Sequence, residues 1–145
     1  MSSPKFPRGK LNPEDEGGLK SEDDPTEGKV TVYRIQDDEG RGPFRPGTSH
    51  RWMDHDRTTD THPGFLEEFG SDCLNARKIG QRCGCAFRSM EQLRAWFRRG
   101  ERRRMRALGY RIVRMEVDAI LAESHRQLVF ARDKPLAVDV EVLDP

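Results

Sequence analysis

The chain has 145 residues, of which 34% are hydrophobic and 35% are charged, and its formal net charge at pH 7 is +1. This composition is polar for a chain that folds over its whole length, so it predicts a small core and a segment that does not fold. The small net charge excludes binding of nucleic acid through overall basicity. No apolar run reaches the ~18 residues that a bilayer-spanning helix needs.

The cysteines and the opening residues indicate the compartment. MSSPKFPRGK contains no apolar segment of the signal-peptide type, and three cysteines suit a reducing compartment better than a disulfide framework. We therefore expect a cytoplasmic protein with buried, free thiols. A zinc site is the alternative, but the expected ligand spacing is absent, so we expect no metal. The side chains considered as zinc ligands are His50, His55, His62, Cys73, Cys83 and Cys85.

Residues 1–28 have the composition of a tail. They are rich in glycine, proline and acidic residues, with almost nothing to bury. Such a segment does not bury enough apolar surface to offset the entropy lost on ordering. We expect disorder here, with docking on a partner or on the chain's own domain as the alternative. Residues 29–145 are then a single folded domain.

The domain opens with a strand and a glycine-rich loop. Val30 to Ile35 is predicted to be a strand from its β-branched and aromatic residues, and the glycines and prolines of DDEGRGPFRPG end it. Arg34 lies inside this strand, where a half-buried charge is costly unless it is paired. Either Arg34 points to solvent or pairs with a carboxylate, or it grips an anion in a cleft beside the loop from Gly40 to Gly47.

Short elements follow in the middle of the chain. Residues 48–63 show no clean period and are expected to form a loop. A helix is indicated by Phe65, Leu66 and Phe69 at helical spacing, and CGCAF is expected to be a short buried strand.

The clearest local signal is the start of a helix. Ser89 with Gln92 makes a capping box, in which each side chain satisfies a free backbone N–H. Leu93, Trp96 and Phe97 then define one apolar face.

Arginines crowd the helical region that follows, which is expected to be interrupted at Gly100 and to end at Gly109. They are Arg94, Arg98, Arg99, Arg102, Arg103, Arg104 and Arg106. A guanidinium donates pairs of hydrogen bonds to phosphate and carboxylate, so this face could bind nucleic acid or an acidic protein. The alternatives are a solvated helix face or a face that the acidic residues 22–24 cover.

Three strands are expected after the helices. Tyr110 to Val117 alternates apolar with charged residues, Gln127 to Arg132 is a short central strand, and Val138 to Val142 is solvated on one face. The intervening DAILAES is expected to be a connection with one helical turn. Without βαβ alternation, the class is α+β, with a small, mixed, mainly antiparallel sheet and two or three helices.

Three segments resemble the ADP-ribosyltransferase-like fold over residues 30–143. They are VYRI, CAFRSMEQLRAWF and YRIVRMEVDAILAESHRQLVFARDKPL. In that family an aromatic–arginine pair grips NAD, a serine caps the middle helix, and the last strand begins with a catalytic carboxylate. The resemblance implies a nucleotide site formed by Tyr33, Arg34 and Ser89, together with Gly42 and Arg45 of the loop.

The catalytic position departs from the family pattern. Gln127 takes the place of the glutamate, and its neutral amide binds a hydroxyl but stabilises an oxocarbenium-like centre poorly. Glu123, four residues earlier, is the possible substitute. The resemblance therefore implies an NAD-binding domain that transfers ADP-ribose to a macromolecular target or, without the carboxylate, one that does not catalyse this reaction.

Two other functions stay open. The pattern YRIxDxxGxGPFRPG resembles small uncharacterised proteins of phages and bacterial mobile elements. Such a protein could inhibit a bacterial defence complex by binding it through the arginine-rich helix and the acidic tail. Nucleic-acid binding through the same helix is the third reading, and the acidic tail and near-zero net charge argue against it.

Overall fold

The computed structural model of the chain describes residues 29–44, 47–57 and 62–143. The strands in this part are β1 (Val30–Gln36), β2 (Arg82–Ala86), β3 (Arg111–Val117), β4 (Ala119–Glu123), β5 (Leu128–Arg132) and β6 (Glu141–Leu143). The α-helices are α1 (Phe65–Phe69), α2 (Met90–Trp96) and α3 (Arg99–Ala107), and short 3-10 helices cover Ser49–Arg51 and Ser71–Ala76. The chain is a small α+β protein, as predicted.

The described strands form two three-stranded sheets in which every pairing is antiparallel. The first sheet has the order β1–β3–β6, and the second has the order β2–β5–β4. Two backbone hydrogen bonds of 2.8 Å between Tyr33 and Phe87 join β1 to the residue that follows β2. The structure therefore has two antiparallel sheets that meet beside Arg34, where a single mixed sheet was predicted.

The sheets bury the apolar positions that alternation predicts. In β3, Val113, Met115 and Val117 are each at most 3% exposed, and Glu116 between them is exposed. They pack against side chains of both sheets, including Phe130 of β5. Each fully buried side chain of this size contributes about 1.5–3 kcal/mol to folding. A second cluster lies under the helices and includes Trp52, Leu93, Trp96, Phe97, Met105 and Ile112.

Helix α2 begins at the predicted cap. The backbone N–H of Gln92 donates to Ser89 Oγ at 3.1 Å. The side chain of Gln92 accepts from the backbone N–H of Arg88 at 2.9 Å, one residue before the cap. Ser89 thus satisfies one of the free N–H groups of the first turn, and the reciprocal bond of the predicted capping box comes from Arg88 instead of Ser89.

The break between α2 and α3 lies at Phe97 and Arg98, so the predicted interruption at Gly100 is wrong. Phe97 is extended, and Glu101 Oε1 accepts from the backbone N–H of Arg98 at 3.0 Å, which starts a new helix. Gly100 therefore falls in the first turn of α3. The predicted stop at Gly109 is confirmed, because this residue has a φ of 99°.

Residues 119–123 form strand β4, so the predicted helical connection is wrong. They pair with β5 with a register irregularity between Ile120 and Ala122. Pairing against the fully buried β5 outweighs the helix propensity of alanine and leucine here. The last strand is also shorter than predicted, since β6 starts at Glu141 and Asp139 before it has a φ of 55°.

Candidate functional site

An aromatic pocket of about 530 Å³ opens where the two sheets meet the loop 42–44 and the segment 62–65. Its aromatic lining consists of Phe44, Phe65, Phe87, Trp96 and Phe97. Its polar lining consists of Arg34, Arg57, His62, Glu67 and Gln127. Apolar walls with a few polar groups are typical of sites for small organic ligands, and the volume lies in their usual range.

The aromatic rings of the pocket pack against one another in edge-to-face and tilted pairs, and the Phe44 ring stays accessible. Phe44 lies 5.3 Å from Trp52 and 5.9 Å from Phe97 between ring centroids. His62 packs edge-on against Trp96 at 5.1 Å, and burial followed by the charge of Arg57 lowers its pKa below the ordinary value. Phe44 is nevertheless 52% exposed. An exposed aromatic side chain at the mouth of an apolar pocket can stack on a flat ligand.

Arg34 is a buried cation in the wall of the pocket. It is 8% exposed and donates to Gln36 Oε1 (2.8 Å), to the Cys85 carbonyl (2.8 Å) and to the Gly40 carbonyl (3.1 Å). No carboxylate of the described residues lies at ion-pair distance. Burial lowers the pKa of Arg34, and the more distant charge of Asp37 opposes this only in part. The guanidinium stays charged, so an anion in the pocket would offset its desolvation.

Glycines make room for this guanidinium. A Cβ at position 84 would lie 2.9 Å from Arg34 Nη1, which is closer than real contacts allow, and a Cβ at position 42 would lie 3.4 Å from Nη2. Gly42 also lines the pocket. Gly84 of β2 therefore leaves the space that Arg34 Nη1 occupies, and the loop contacts the same guanidinium through the Gly40 carbonyl.

Arg57 also lines the pocket and forms a buried ion pair with Glu101. The two side chains are 4% and 0% exposed, and Arg57 Nε donates to Glu101 Oε2 at 3.0 Å. The arginine lies 5.5 Å from the Trp52 ring and 5.4 Å from the Phe97 ring. Burial raises the pKa of Glu101, but hydrogen bonds from Arg57 and from two backbone N–H groups outweigh it and hold the pKa below its ordinary value.

Gln127 directly precedes β5 and links it to α1 beside the pocket. Its Nε2 donates to the Pro63 carbonyl (2.9 Å) and to Glu68 Oε1 (2.8 Å), while Arg126 binds the other oxygen of Glu68. Burial raises the pKa of Glu68, yet the bonds from Gln127 and Arg126 hold it below its ordinary value. Both N–H groups of the amide are used, so Gln127 can offer a ligand only its carbonyl oxygen.

The predicted site residues divide into two groups. Arg34, Gly42 and Gln127 meet in the pocket. Tyr33 and Ser89 do not line it: Tyr33 packs on the second core cluster, and Ser89 caps α2. Glu123 is also outside the lining and pairs with Arg88 at 2.7 Å. The remaining predicted residue, Arg45, lies outside the described residues.

The sequence does not assign several of the pocket residues to this site. Arg57 and His62 belong to the segment 48–63, which has no period, and Phe44 belongs to the loop after β1. Trp96 and Phe97 were recognised only as an apolar helix face. The abundance of arginine and aromatic residues in the chain is a weak signal of such a pocket. Only the fold brings the lining side chains together.

The cysteines do not form a site. No group of three or more His, Cys, Asp or Glu in the described residues could hold a metal ion. Cys85 lines the pocket, and burial raises the pKa of its thiol to about 12. This thiol is therefore protonated and unreactive at neutral pH.

The arginine-rich helices carry both paired and unpaired charges. Arg98 contacts Asp54 and Asp56, and Arg104 contacts Asp54. Within α2 and α3, the arginines that are exposed and have no carboxylate of the described residues at ion-pair distance are Arg94, Arg99, Arg103 and Arg106. We call these four the arginine face. None of the helices in the described part is long and apolar enough to cross a membrane.

Comparison with known proteins gives one family match. The family model described as Bacteriophage T4 Y00F protein matches residues 29–144. This match is to a phage protein family and not to an ADP-ribosyltransferase family. Neither the curated proteins nor the solved structures contain a match to the chain.

Proposed function

The chain belongs to the Bacteriophage T4 Y00F protein family, and we propose that this phage-family domain binds a nucleotide of the NAD type in the aromatic pocket. The environment of Arg34 is the main support for this proposal. Arg34 is a buried cation without a carboxylate partner among the described residues, in the wall of a pocket with an aromatic lining. An anion with a flat ring attached satisfies both features of this site.

The anionic part of the nucleotide lies against Arg34. Of the five N–H groups of the guanidinium, three are used by Gln36, Cys85 and Gly40. One N–H on each terminal nitrogen remains for a phosphate or ribose oxygen. A hydrogen bond to a charged group contributes about 1.5–3 kcal/mol, and a buried site strengthens it further.

The ring of the nucleotide lies among the aromatic side chains. Phe44 is accessible at the mouth, and Phe97 and Trp96 form the wall behind it. Stacking of a base on an aromatic side chain contributes about 1–3 kcal/mol. The accessible face of Phe44 suits this contact, because its ring is not fully covered by the protein.

An ADP-ribosyltransferase-like core is the finer form of this proposal, and its support is the resemblance of the three sequence segments. Arg34 lies in β1 and Gln127 directly precedes β5; β1 is joined to Phe87, the residue after β2, and β5 pairs with β2. Gln127 accepts a ribose hydroxyl through Oε1 in this arrangement. Transfer of ADP-ribose also needs a carboxylate near the cleaved bond, and Glu67 is the carboxylate in the pocket lining.

The test is calorimetric titration of NAD⁺ into the full chain, with Arg34→Gln and Arg132→Gln as a matched pair. Arg132 is also a buried arginine that donates to three carbonyls, but it lies outside the pocket. We expect Arg34→Gln to weaken binding by about tenfold or more and Arg132→Gln to retain it. Thermal melts of both variants report any loss of folding.

Equal binding by wild type and Arg34→Gln would refute the role of Arg34. No heat from wild type at millimolar NAD⁺ would refute nucleotide binding itself. Release of nicotinamide, measured by chromatography on the same samples, tests the transferase form separately.

A second candidate is a non-enzymatic phage protein that inhibits a bacterial complex, and the arginine face favours it. Four exposed arginines without a carboxylate partner in the described part suit an acidic protein surface. Binding through them falls steeply with added salt. A pull-down from bacterial lysate at two salt concentrations, with Arg99→Ala/Arg103→Ala beside Arg34→Gln, separates the two functions by which variant loses the partner.

A further inference from the structure

The arginine face concentrates positive charge on the exposed side of α2 and α3. Arg99, Arg103 and Arg106 are spaced four and three residues apart in α3, so they lie along one stripe of the helix. Burial, followed by the charges of Arg94 and Arg99, lowers the pKa of Arg102, so Arg94 of α2 belongs to the same patch. Like charges at this spacing repel one another, and a bound acidic group relieves the repulsion.

The complementary charge lies in the part of the chain that precedes β1. Residues 11–28 contain seven acidic side chains and one lysine. Six of the acidic side chains form two clusters of three, at residues 14–16 and at residues 22–24. Both clusters lie outside the described residues, but the position of the first described residue limits what each of them can reach.

The described chain starts at the end of the first sheet that is far from the arginines of α3. Lys29 forms an ion pair with Asp118, which directly follows β3. α3 leads into the opposite end of β3, where Arg111 pairs with Gln36. The length of β1 separates these two ends by about 20 Å.

This separation distinguishes the two acidic clusters. The exposed side of α3 adds about the width of a helix, about 10 Å, to the path, because Met105 on the inner side packs in the core. A chain covers at most about 3.6 Å per residue, so residue 24 reaches about 18 Å from Lys29 and residue 22 about 25 Å only when fully extended. Residue 16 reaches about 47 Å, and the entropy lost in closing a longer loop grows slowly with its length. The cluster 14–16 therefore reaches the arginines of α3 with length to spare.

We propose that the acidic cluster 14–16 binds the arginine face of the same chain, so that the chain covers this face with its own N-terminal segment. A few weak ion pairs suffice for such a contact, because the tether gives the segment a high effective concentration. None of the arginine-face residues lines the aromatic pocket, so the contact does not depend on nucleotide binding. An acidic protein surface, as in the second candidate function, would have to displace the segment before it binds.

The first experiment neutralises one acidic cluster at a time in the ¹⁵N-labelled full chain. The two matched variants, which change the net charge equally, are E14Q/D15N/E16Q and E22Q/D23N/D24N. We expect the side-chain Nε–H signals of Arg103 and Arg106 at low salt to shift in the 14–16 variant and to stay unchanged in the 22–24 variant. Addition of about 0.5 M salt to wild type should produce the same shifts, because salt screens exposed ion pairs.

The second experiment uses poly-glutamate as an acidic probe of the arginine face. We expect the 14–16 variant to bind it about three- to tenfold more tightly than the 22–24 variant at low salt, because the competing segment has lost its charge. This difference in affinity should vanish when Arg103→Ala and Arg106→Ala are added to both chains.

Unchanged arginine signals in the 14–16 variant, or equal effects of the two neutral variants, would overturn the inference. Shifts that depend on protein concentration would also overturn it, because the contact would then join two chains. A difference in poly-glutamate affinity that survives the loss of Arg103 and Arg106 would place the effect outside the arginine face and would overturn it as well. NAD⁺ binding is measured separately and is unaffected by any of these results.

Discussion

Replacement of Glu101 by glutamine tests the buried ion pair that supports one wall of the aromatic pocket. Glu101 is fully buried and accepts from Arg57, from the backbone N–H of Asp54 (2.9 Å) and from that of Arg98 (3.0 Å). Glu101 thereby links Asp54 and Arg57 to the start of α3. Glutamine keeps the shape but removes the charge, and its amide nitrogen faces donors.

We expect Glu101→Gln to lower the free energy of unfolding by about 3–5 kcal/mol, because loss of one partner leaves the other charge buried and uncompensated. A domain of this size has a total stability of about 5–15 kcal/mol. The change is therefore a large part of the total, and it lowers the melting temperature by more than about 10 °C.

Urea denaturation of the full chain at neutral pH measures this change. The control is Glu116→Gln, an exposed carboxylate of β3, which should change the stability by no more than about 0.5 kcal/mol. A loss below about 1 kcal/mol for Glu101→Gln would contradict this expectation, since it would mean that Arg57 is not held by this carboxylate.

The pH dependence gives an independent check. The pKa of Glu101 is lowered in the folded protein, so its contribution is complete above the ordinary value of about 4.3 and is lost as pH falls through the folded value. The difference in stability between wild type and Glu101→Gln should therefore narrow below about pH 4. A constant difference down to acid pH would contradict the lowered pKa.

Three further predictions concern single positions in the pocket. Gly42→Ala places a methyl group 3.4 Å from Arg34 Nη2, so calorimetry should show weaker NAD⁺ binding with an unchanged melting temperature; unchanged binding would contradict it. Gln127→Glu sets a second carboxylate beside Glu68, so melts should show greater destabilisation at about pH 7 than at about pH 5, and equal shifts would count against this electrostatic cause. Cys85, whose pKa is raised to about 12, should resist iodoacetamide at about pH 8, and its alkylation, detected by mass spectrometry, would show that the thiol is not buried as described.

Much of the fold was predictable where local signals agree with the tertiary structure. The apolar alternation in β3 and the Ser89 cap are properties of a few neighbouring residues, and both predictions are confirmed. The strand β4 was not predictable in this way. Its residues favour a helix locally. Its strand conformation comes from pairing with β5, and this tertiary contact cannot be inferred from the local residues.

The candidate site could be predicted only in part, for a related reason. Arg34 attracts attention because a charge inside an apolar strand needs an explanation, and Gln127 because the resemblance places it at the position of the catalytic glutamate. Arg57 lies in a segment without periodicity, and its importance comes from Glu101, 44 residues further along the chain. A pairing over that separation is not visible in the local sequence.

The most direct test of nucleotide binding in the aromatic pocket is an NMR titration of the ¹⁵N-labelled full chain with NAD⁺. We expect shifts of the backbone amides of Gly42, Phe44 and Gly64 and of the Trp96 indole, with the α3 amides of Arg99 and Arg103 unchanged. Shifts confined to α3, or no shifts at millimolar NAD⁺, would contradict it. The first result would move the binding site to the arginine face, and the second would leave Arg34 as a structural link between β1, its loop and β2.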